Sequence, residues 1–224
     1  MPVSIIIPTL NEGQSVKATL KPLQLLRLYG GEVIVADGGS SDNTKQSCEK
    51  LVDHWVEADK GRANQMNAGA CAAGKSVLLF LHADTILPDN FVTLLKTFEA
   101  TNFIWGRFDV RLSGEHKMFR VIAFMMNWRS RLTGISTGDQ AIFVRKQYFH
   151  EVGGFPPQPL MEDIELSGKL KRLGKPYCIN TPLVTDSRRW EKNGVWKTIL
   201  LMWSMRLKYL FGVNASKLHK KYYK

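Results

Sequence analysis

The sequence is short of three features that mark well-known classes of protein. Its three cysteines, Cys48, Cys71 and Cys178, are odd in number and far apart, with no pair at metal-ligand spacing, so they favour a reduced, cytosolic setting over a disulfide framework. No segment reaches the roughly 20 apolar residues that a transmembrane helix needs. The pattern Gly-x-Gly-x-x-Gly is missing after the first apolar run, which argues against an NAD-binding enzyme.

Acidic residues are scarce in the last quarter of the chain. From Leu166 to the end there are 14 lysines and arginines but only Asp186 and Glu191, and this segment accounts for the net charge of +11. Such a positive field suits nucleic acid, an anionic membrane surface or a phosphate-bearing substrate, and charge alone does not choose among them.

The length of 224 residues fits one α/β domain. We expect this domain over residues 1–212, with an apolar and basic helix near 195–211, and a basic C-terminal tail over 213–224. The first residues, MPVSIIIPTLNE, have no basic residue before a short apolar run and no cleavage-site pattern, so they predict a strand rather than a signal peptide.

Short apolar runs alternate with helix-like segments in the first half. The runs VSIIIP, EVIVAD, HWVEA and SVLLFLHAD are strand candidates, separated by GQSVKATLKPLQLLRL, NTKQSCEKL and RANQMNAGACAAG. This alternation predicts a mostly parallel central sheet flanked by helices. After a predicted helix over 89–101, the strand-like FIWGRFDVRL and AIFVR precede an amphipathic helix that starts near Glu162.

Three predicted strands end in polar residues. These sets are Pro8-Thr9-Leu10-Asn11-Glu12, Asp37-Gly38-Gly39-Ser40 and His82-Ala83-Asp84. In open sheets of this kind ligands bind beyond the carboxyl ends of the strands, so adjacent parallel strands would bring the three sets to one crevice.

Each carboxylate in these segments has a functional and a structural interpretation. Asp37 could accept hydrogen bonds from a ribose or a base, or could form an Asx-turn. Asp84 offers oxygen to Mg²⁺ or Mn²⁺, although Asp-Thr is also good turn chemistry. Glu162 and Asp163 could cap the helix, or one could act as a general base for an attacking hydroxyl. Gly138-Asp139-Gln140 adds a polar strand entry in the same half.

Two later segments, 118–128 and 195–211, are unusually apolar but carry Lys or Arg. Both are too short to be good membrane spans. Two interpretations stay open, namely a helix lying on a membrane surface and a helix packed on the core.

The ordered motifs IIIPTLNE, VADGGSSDNT, GRANQMNAGA, LFLHADT, GDQAIFVRK, GGFPPQPLMEDIEL and SRRWE resemble the family 2 nucleotide-sugar glycosyltransferases, which have the GT-A fold. Within that family the chain resembles the bacterial subgroup called radical-SAM/selenodomain-associated transferase 2. The resemblance covers residues 3 to about 212. It implies metal-dependent transfer of a sugar from a nucleoside diphosphate to an acceptor hydroxyl. Direct attack assisted by one base inverts the anomeric centre and needs no second, nucleophilic carboxylate, so we expect an inverting enzyme.

The resemblance also implies roles for individual residues. Those implied for the donor side are Pro8, Thr9, Asn11, Glu12, Asp37, Arg62, Asn67 and Asp84, with Asp84 as ligand of Mg²⁺ or Mn²⁺. Asp163 matches the catalytic base. Residues assigned to the acceptor and diphosphate side are Gly138, Asp139, Gln140, Glu162, Arg188, Arg189 and Trp190.

The chain departs from the family pattern at two places. His82 stands where the metal-binding Asp-x-Asp motif has its first aspartate, which puts the ion's identity and affinity in question. Asp186 replaces the glutamine of the Gln-x-x-Arg-Trp motif of processive synthases, which argues against a long-chain polymerase.

The expected partners are a nucleoside-diphosphate sugar and a lipid or small-molecule acceptor, with peripheral contact to an anionic membrane. The expected location is the cytoplasm or the cytoplasmic face of the inner membrane. A nucleotidyltransferase is the alternative enzyme class, but PTLNEGQS lacks the basic Gly-rich loop such enzymes place after the first strand. A basic nucleic-acid-binding module would not need the carboxylates, and no nucleic acid is expected.

Overall fold

The computed structural model describes residues 1–222, and its centre is one mixed sheet. The strands are β1 (Val3–Thr9), β2 (Glu32–Asp37), β3 (His54–Glu57), β4 (Val77–Phe80), β5 (Thr85–Ile86), β6 (Trp105–Leu112), β7 (Phe143–Arg145) and β8 (Tyr177–Thr185), in the order β3-β2-β1-β4-β7-β6-β8-β5. The first four strands are parallel to one another, as predicted. β7 is antiparallel to β4 and β6, and β5 to β8, so the second half of the chain extends the same sheet with mixed direction.

Helices cover the sheet. They are α1 (Val16–Leu28), α2 (Thr44–Cys48), α3 (Arg62–Ala72), α4 (Phe91–Glu99), α5 (Lys117–Thr133), α6 (Lys146–Glu151), α7 (Glu162–Leu173), α8 (Arg188–Asn193), α9 (Val195–Leu210) and α10 (Ala215–Tyr222), with a 3₁₀ turn at Gly138–Gln140. The expected basic tail is therefore mostly helical, and residues 223–224 of it lie outside the described part. The three cysteines are free thiols.

The apolar runs form strands because both faces of the sheet are buried. Alternate residues of β1 enter different cores: Ile5 and Ile7 pack with α1 and α4, whereas Ile6 packs with α3 and with Leu166 of α7. Every residue of β1, β2 and β4 is buried. A strand enclosed on both sides has no polar face, which explains why these segments are continuous apolar runs.

The sheet register gathers the predicted polar sets. Thr9 at the end of β1 lies opposite Asp37 at the end of β2, and Ile6 lies opposite Phe80 at the end of β4. Asp84 does not end β4, because that strand stops at Phe80 and Asp84 immediately precedes β5. The pairing of Thr85 with Thr185 brings the segment after β8 beside Asp84.

The two apolar segments, 118–128 and 195–211, form most of α5 and α9, and each helix has a buried and an exposed apolar face. On α5 the exposed apolar side chains are Val121, Phe124, Met125, Trp128 and Leu132; on α9 they are Trp196, Leu200, Trp203, Leu207 and Leu210. One face of each helix packs on the protein, as the core interpretation predicts, and the other face is exposed. Contact of the exposed faces with a membrane stays a prediction. Among residues 1–222, no helix has the length and apolarity to cross a membrane.

Candidate active site

The loops after β1 and β2 form one wall of the site around Asp37. The carboxylate of Asp37 is 4% exposed and accepts four hydrogen bonds. Thr9 Oγ1 (3.0 Å) and Ser40 Oγ (2.5 Å) donate to Oδ1, and the backbone N–H groups of Gly39 (3.0 Å) and Ser40 (2.7 Å) donate to Oδ2. The Asx-turn interpretation is therefore confirmed. A carboxylate has about four acceptor positions, so a ligand N–H would have to displace one of the two hydroxyls.

Asn11 and Glu12 tie the first loop to the second. Asn11 has a left-handed backbone, with φ of 57°, a conformation that asparagine adopts more readily than most residues. Its N–H donates to Ser40 Oγ at 2.8 Å, and its Oδ1 accepts from Ser41 N–H at 2.9 Å. The N–H of Glu12 donates to Thr44 Oγ1 at 2.9 Å. These bonds make the two loops one rigid wall.

Helix α3 links this wall to the second half of the site. Gln65 donates from Nε2 to the carbonyls of Thr9 (2.6 Å) and Ala36 (3.0 Å). One turn earlier, Arg62 Nε lies 2.9 Å from Glu162 Oε1 at the start of α7. Burial raises the pKa of Glu162 above its ordinary value, and the positive charge of Arg62 opposes that rise.

The Asp163 carboxylate is held beside the loop between α5 and β7. The backbone N–H of Gly138 donates to Asp163 Oδ2 at 2.7 Å, and the N–H of Ile164 donates to Oδ1 at 2.8 Å. A Cβ at position 138 would lie 2.5 Å from His82 Nε2 and 3.7 Å from Asp163 Oδ2. Gly138 is therefore required by close approach between the His82 ring and the loop.

His82 pairs with Asp139 rather than with Asp84. Its Nδ1 lies 3.4 Å from Asp139 Oδ1, and its side chain is 15% exposed. Burial by itself would lower the pKa of His82, but the hydrogen bond and the negative charge of Asp139 outweigh it, so the pKa is raised. For Asp139, burial favours the neutral form, yet the contact with His82 holds the pKa of its carboxyl below the ordinary value.

Asp84 is a partly exposed carboxylate at this edge. Its side chain is 33% exposed, and Arg188 Nη2 lies 3.9 Å from its Oδ2. Arg188 is 62% exposed and binds Asp186 more closely, with Nε 2.6 Å from Oδ2. Asp84 therefore keeps oxygen atoms available for a metal ion. Within residues 1–222 no three His, Cys, Asp or Glu side chains form a metal cluster, so further ligands would come from substrate and water.

Several predicted site residues have structural contacts. Asn67 holds the loop before α7, because its Nδ2 donates to the carbonyl of Phe155 at 2.8 Å and its Oδ1 accepts from the N–H of Phe155 at 3.0 Å. Gln140 is fully buried and completes the capping box with Thr137. Pro8 is buried within β1, beside Ala36 of β2. On α8, Arg189 precedes Trp190, which packs against a cluster that contains Leu112, Phe119 and Ile122.

Two arginines near Asp163 were not predicted from the sequence. Arg129 lies on α5 and Arg206 on α9, and each interacts electrostatically with Asp163 and Asp139. Arg206 had a weak signal, because it interrupts an otherwise apolar part of its helix. Arg129 had none, since many helices carry arginine on a solvent-exposed side.

Comparison with known proteins supports the fold and the family. A model of the family described as Glycosyl transferase family 2 matches residues 4–154. The poly-beta-1,6-N-acetyl-D-glucosamine synthase of Staphylococcus epidermidis is 32% identical over 96 residues, which are 39% of this chain and 23% of that protein. The same enzyme of Staphylococcus aureus strain COL is 28% identical over 94 residues. The chain spans less than a quarter of the length of these relatives.

Solved structures are similar over most of the chain. TarS of Staphylococcus aureus superimposes with a TM-score of 0.66 at 15% identity, over 84% of this chain and 61% of that one. The mannosyltransferase PcManGT of Pyrobaculum calidifontis, solved with GDP-Man and Mn²⁺, gives a TM-score of 0.61 at 20% identity, over 83% of this chain and 56% of that one.

The sheet order and these neighbours define the GT-A glycosyltransferase fold. The family model covers about two thirds of the chain, and the chain belongs to glycosyl transferase family 2. Membership of the radical-SAM/selenodomain-associated subgroup stays a prediction.

Proposed function

We propose that this protein transfers a sugar from a nucleoside-diphosphate sugar to an acceptor hydroxyl with inversion at the anomeric carbon. The observation that carries the proposal is the placement of Asp163 beside Gly138, at the same sheet edge as Asp84. The relatives are named as N-acetylglucosamine polymer synthases, and PcManGT was solved with a nucleotide sugar and Mn²⁺. The name of these synthases and the ligand of PcManGT both agree with a nucleotide-sugar donor.

Asp163 is the proposed general base. The N–H groups of Gly138 and Ile164 fix one acceptor direction on each of its oxygens, which leaves further lone pairs to take the acceptor proton. Direct attack by the activated hydroxyl needs no nucleophilic carboxylate on the protein and inverts the anomeric centre. Glu162 is unsuited to this role, because it is 2% exposed and paired with Arg62.

Asp84 is the proposed ligand of Mg²⁺ or Mn²⁺. Its exposed carboxylate supplies one hard oxygen, and small divalent cations bound near phosphates commonly use one or two protein carboxylates. A bound ion would neutralise charge on the leaving diphosphate. The proposed role of Arg62, Arg188 and Arg189 is to add positive charge on the same side.

The wall around Asp37 is the proposed nucleoside pocket. Because its carboxylate is saturated within the loop, we infer that Asp37 acts mainly by holding the backbone of Gly39 and Ser40. Thr9, Asn11 and Glu12 line the same wall, and Pro8 and Asn67 support it from the strand and from the loop before α7.

The proposed acceptor is a lipid or another molecule at a membrane surface. The exposed apolar faces of α5 and α9 lie in the chain's second half, close to its basic C-terminal segment. An apolar face joined to positive charge suits peripheral contact with an anionic bilayer, here the cytoplasmic face of the inner membrane. Co-sedimentation with vesicles should increase with anionic lipid and decrease with salt. Binding that depends on neither would contradict the proposed contact with an anionic membrane.

A thermal-shift panel of UDP, GDP and dTDP sugars with Mn²⁺ and Mg²⁺ tests the donor assignment. Stabilisation follows affinity by mass action, so one nucleotide should raise Tm more than the others. We expect the rise to depend on the divalent ion. The absence of any response across the panel would contradict the proposed function.

A further inference from the structure

Two arginines approach the Asp163 side of the site from helices outside the central sheet. Arg129 lies on α5, and its Nε and Nη2 atoms are buried without a hydrogen-bond partner among the described residues. Arg206 lies half-buried on α9 and is close enough to Arg129 for their charges to repel. Buried guanidinium nitrogens without a partner are uncommon, because donors removed from water cost free energy unless they are paired.

Packing of both helices fixes this arrangement. On α9, Met205 packs with Leu160 and Met161, just before α7, and Tyr209 Oη lies 3.2 Å from Glu165 Oε2. These contacts place Arg206 beside the first turn of α7. On α5, Asn127 Oδ1 accepts from Gln140 Nε2 at 3.5 Å, which holds the helix against the turn that carries Asp139.

The nearby carboxylates do not pair with the two arginines. Asp163 accepts from the backbone N–H groups of Gly138 and Ile164, and Asp139 contacts His82. Asp109, the other carboxylate near this part of α5, contacts Arg107 and Arg131. The negative charges of Asp163 and Asp139 attract Arg129 and Arg206, but within residues 1–222 no hydrogen-bonded anion satisfies the buried nitrogens of Arg129.

The arrangement is costly in the absence of an anion. Burial, followed by repulsion from Arg206, lowers the pKa of Arg129 to about 10. Burial likewise lowers the pKa of Arg206. Two cations that repel each other in a partly desolvated place destabilise the folded chain unless a group of opposite charge compensates them.

We propose that Arg129 and Arg206 bind an anionic group of the phosphate class that the acceptor carries. The inference rests on the proposed function, because it takes Asp163 as the base beside which the acceptor hydroxyl lies. Guanidinium groups bind phosphate oxygens through charge-assisted and often bidentate hydrogen bonds. Arg129 and Arg206 are both partly exposed, so each can present part of its side chain to a ligand. The phosphate could belong to a lipid headgroup or to a soluble phosphomonoester.

The test uses the full chain and measures the Tm shift and the calorimetric Kd for inorganic phosphate, glycerol 3-phosphate and glycerol. We expect the two phosphates to bind and glycerol not to bind. Arg129→Gln and Arg206→Gln should each weaken phosphate binding by about tenfold or more, as loss of a charge-assisted contact does. Arg120→Gln removes one positive charge from an exposed position of α5 and should leave the affinity unchanged.

Stability separates a binding role from a structural one. Without ligand, Arg129→Gln should have a Tm equal to or above that of the wild type, because it removes a buried charge that lacks a partner. A structural arginine would instead lower Tm when replaced. Arg129→Lys keeps the charge but not the bidentate geometry, and should bind phosphate with intermediate affinity.

The same variants are titrated with UDP and GDP in the presence of Mn²⁺. Unchanged nucleotide affinity together with weaker phosphate binding supports the acceptor assignment. A parallel loss of both would show that the arginines bind the donor diphosphate, and would overturn it. Equal phosphate affinity in wild type and Arg129→Gln would overturn the anion site itself. If wild type binds phosphate but no nucleotide, the proposed function fails while the anion site stands.

Vesicles distinguish the two sources of phosphate. Phosphatidylcholine vesicles with and without phosphatidic acid are compared for wild type and Arg206→Gln. Binding that needs phosphatidic acid and falls in the variant indicates a lipid phosphate. If wild type and Arg206→Gln bind the vesicles equally while the variant has a lower affinity for glycerol 3-phosphate, the acceptor is a soluble phosphomonoester.

Discussion

The backbone N–H of Gly138 donates to Asp163 Oδ2 at 2.7 Å, while the ring of His82 occupies the space that a side chain at position 138 would need. This relationship joins the proposed base to His82, which the family resemblance aligns with the first aspartate of the metal-binding motif. Asp163 is therefore oriented by backbone on a short loop, and His82 fixes where that loop can lie.

Replacing Gly138 with Ala should impair transfer without unfolding the protein. The new Cβ would lie 2.5 Å from His82 Nε2, so the loop must shift and the hydrogen bond to Asp163 must lengthen. Displacements of about 1 Å near a reacting group can cost on the order of 100-fold in rate, and we expect a decrease in kcat of that size. Gly168→Ala on α7 is the control, because its Cβ would meet Ile135 at an ordinary 3.9 Å. Equal activity of both variants would contradict this prediction.

Replacing Asp163 with Asn should abolish most transfer and leave the donor affinity unchanged. General bases contribute roughly 10²- to 10⁴-fold to rate, and an amide cannot accept the acceptor proton. The measurement is kcat with a nucleotide sugar alongside the Kd for the nucleoside diphosphate. Glu165→Gln removes the same charge from the same helical turn and keeps an oxygen near Tyr209, so its activity should stay near wild type. Near-normal transfer by Asp163→Asn would refute the assignment.

Replacing Asp84 with Asn should remove the effect of Mn²⁺ on nucleotide binding. A bound divalent ion stabilises transition-state charge by several kcal/mol, so we also expect a fall in kcat on the order of 100-fold or more. Calorimetric titration of UDP and GDP with and without Mn²⁺ measures the linkage between metal and nucleotide. Asp89→Asn, at an exposed position a few residues later, should retain the effect of Mn²⁺ on nucleotide affinity. A metal effect that survives in Asp84→Asn would place the ion elsewhere.

Replacing Arg62 with Met should make stability depend on pH. Glu162 would keep a buried carboxylate without its cation, and the pKa that burial already raises would rise further. A carboxyl with a higher pKa folded than unfolded contributes stability below the unfolded value, 4.5, and loses it as pH rises through the folded value.

The deficit in Tm should therefore be large at neutral pH and shrink toward pH 4.5. Because Arg62 is 38% exposed, the free energy of unfolding at neutral pH should fall by about 1–3 kcal/mol, less than for a fully buried pair. Lys45→Met breaks the exposed pair with Glu57 and should change Tm little at any pH. A deficit for Arg62→Met that does not vary with pH would mean that Glu162 is not its source.

Local pattern was sufficient for the elements of the first half. Runs such as VSIIIP and EVIVAD are buried on both faces, so their hydrophobicity reports a central strand directly, and the parallel order of β2, β1 and β4 brings their polar ends to one edge. The ordered motifs identified the family and the GT-A fold, because each is a short contiguous segment at one end of a strand or at the start of a helix.

Other features depended on contacts between distant segments. The sequence could not show that Asp84 lies in a connection before β5, because β5 exists only through its pairing with β8 about 100 residues later. It could not choose between turn and ligand for Asp37, since both use the same residues. It also could not show that His82 pairs with Asp139, because the two are far apart in the chain.

The sequence by itself determined the buried strands, the helices between them, the family and the carboxylates at the sheet edge, because each follows from short-range periodicity or from a compact motif. Only the tertiary structure decided that Gly138 orients Asp163 and that Arg129 and Arg206 come within electrostatic range of it. Those residues come from separate helices and loops, and their proximity arises from packing of α5, α7 and α9, which leaves no periodic signal in the chain.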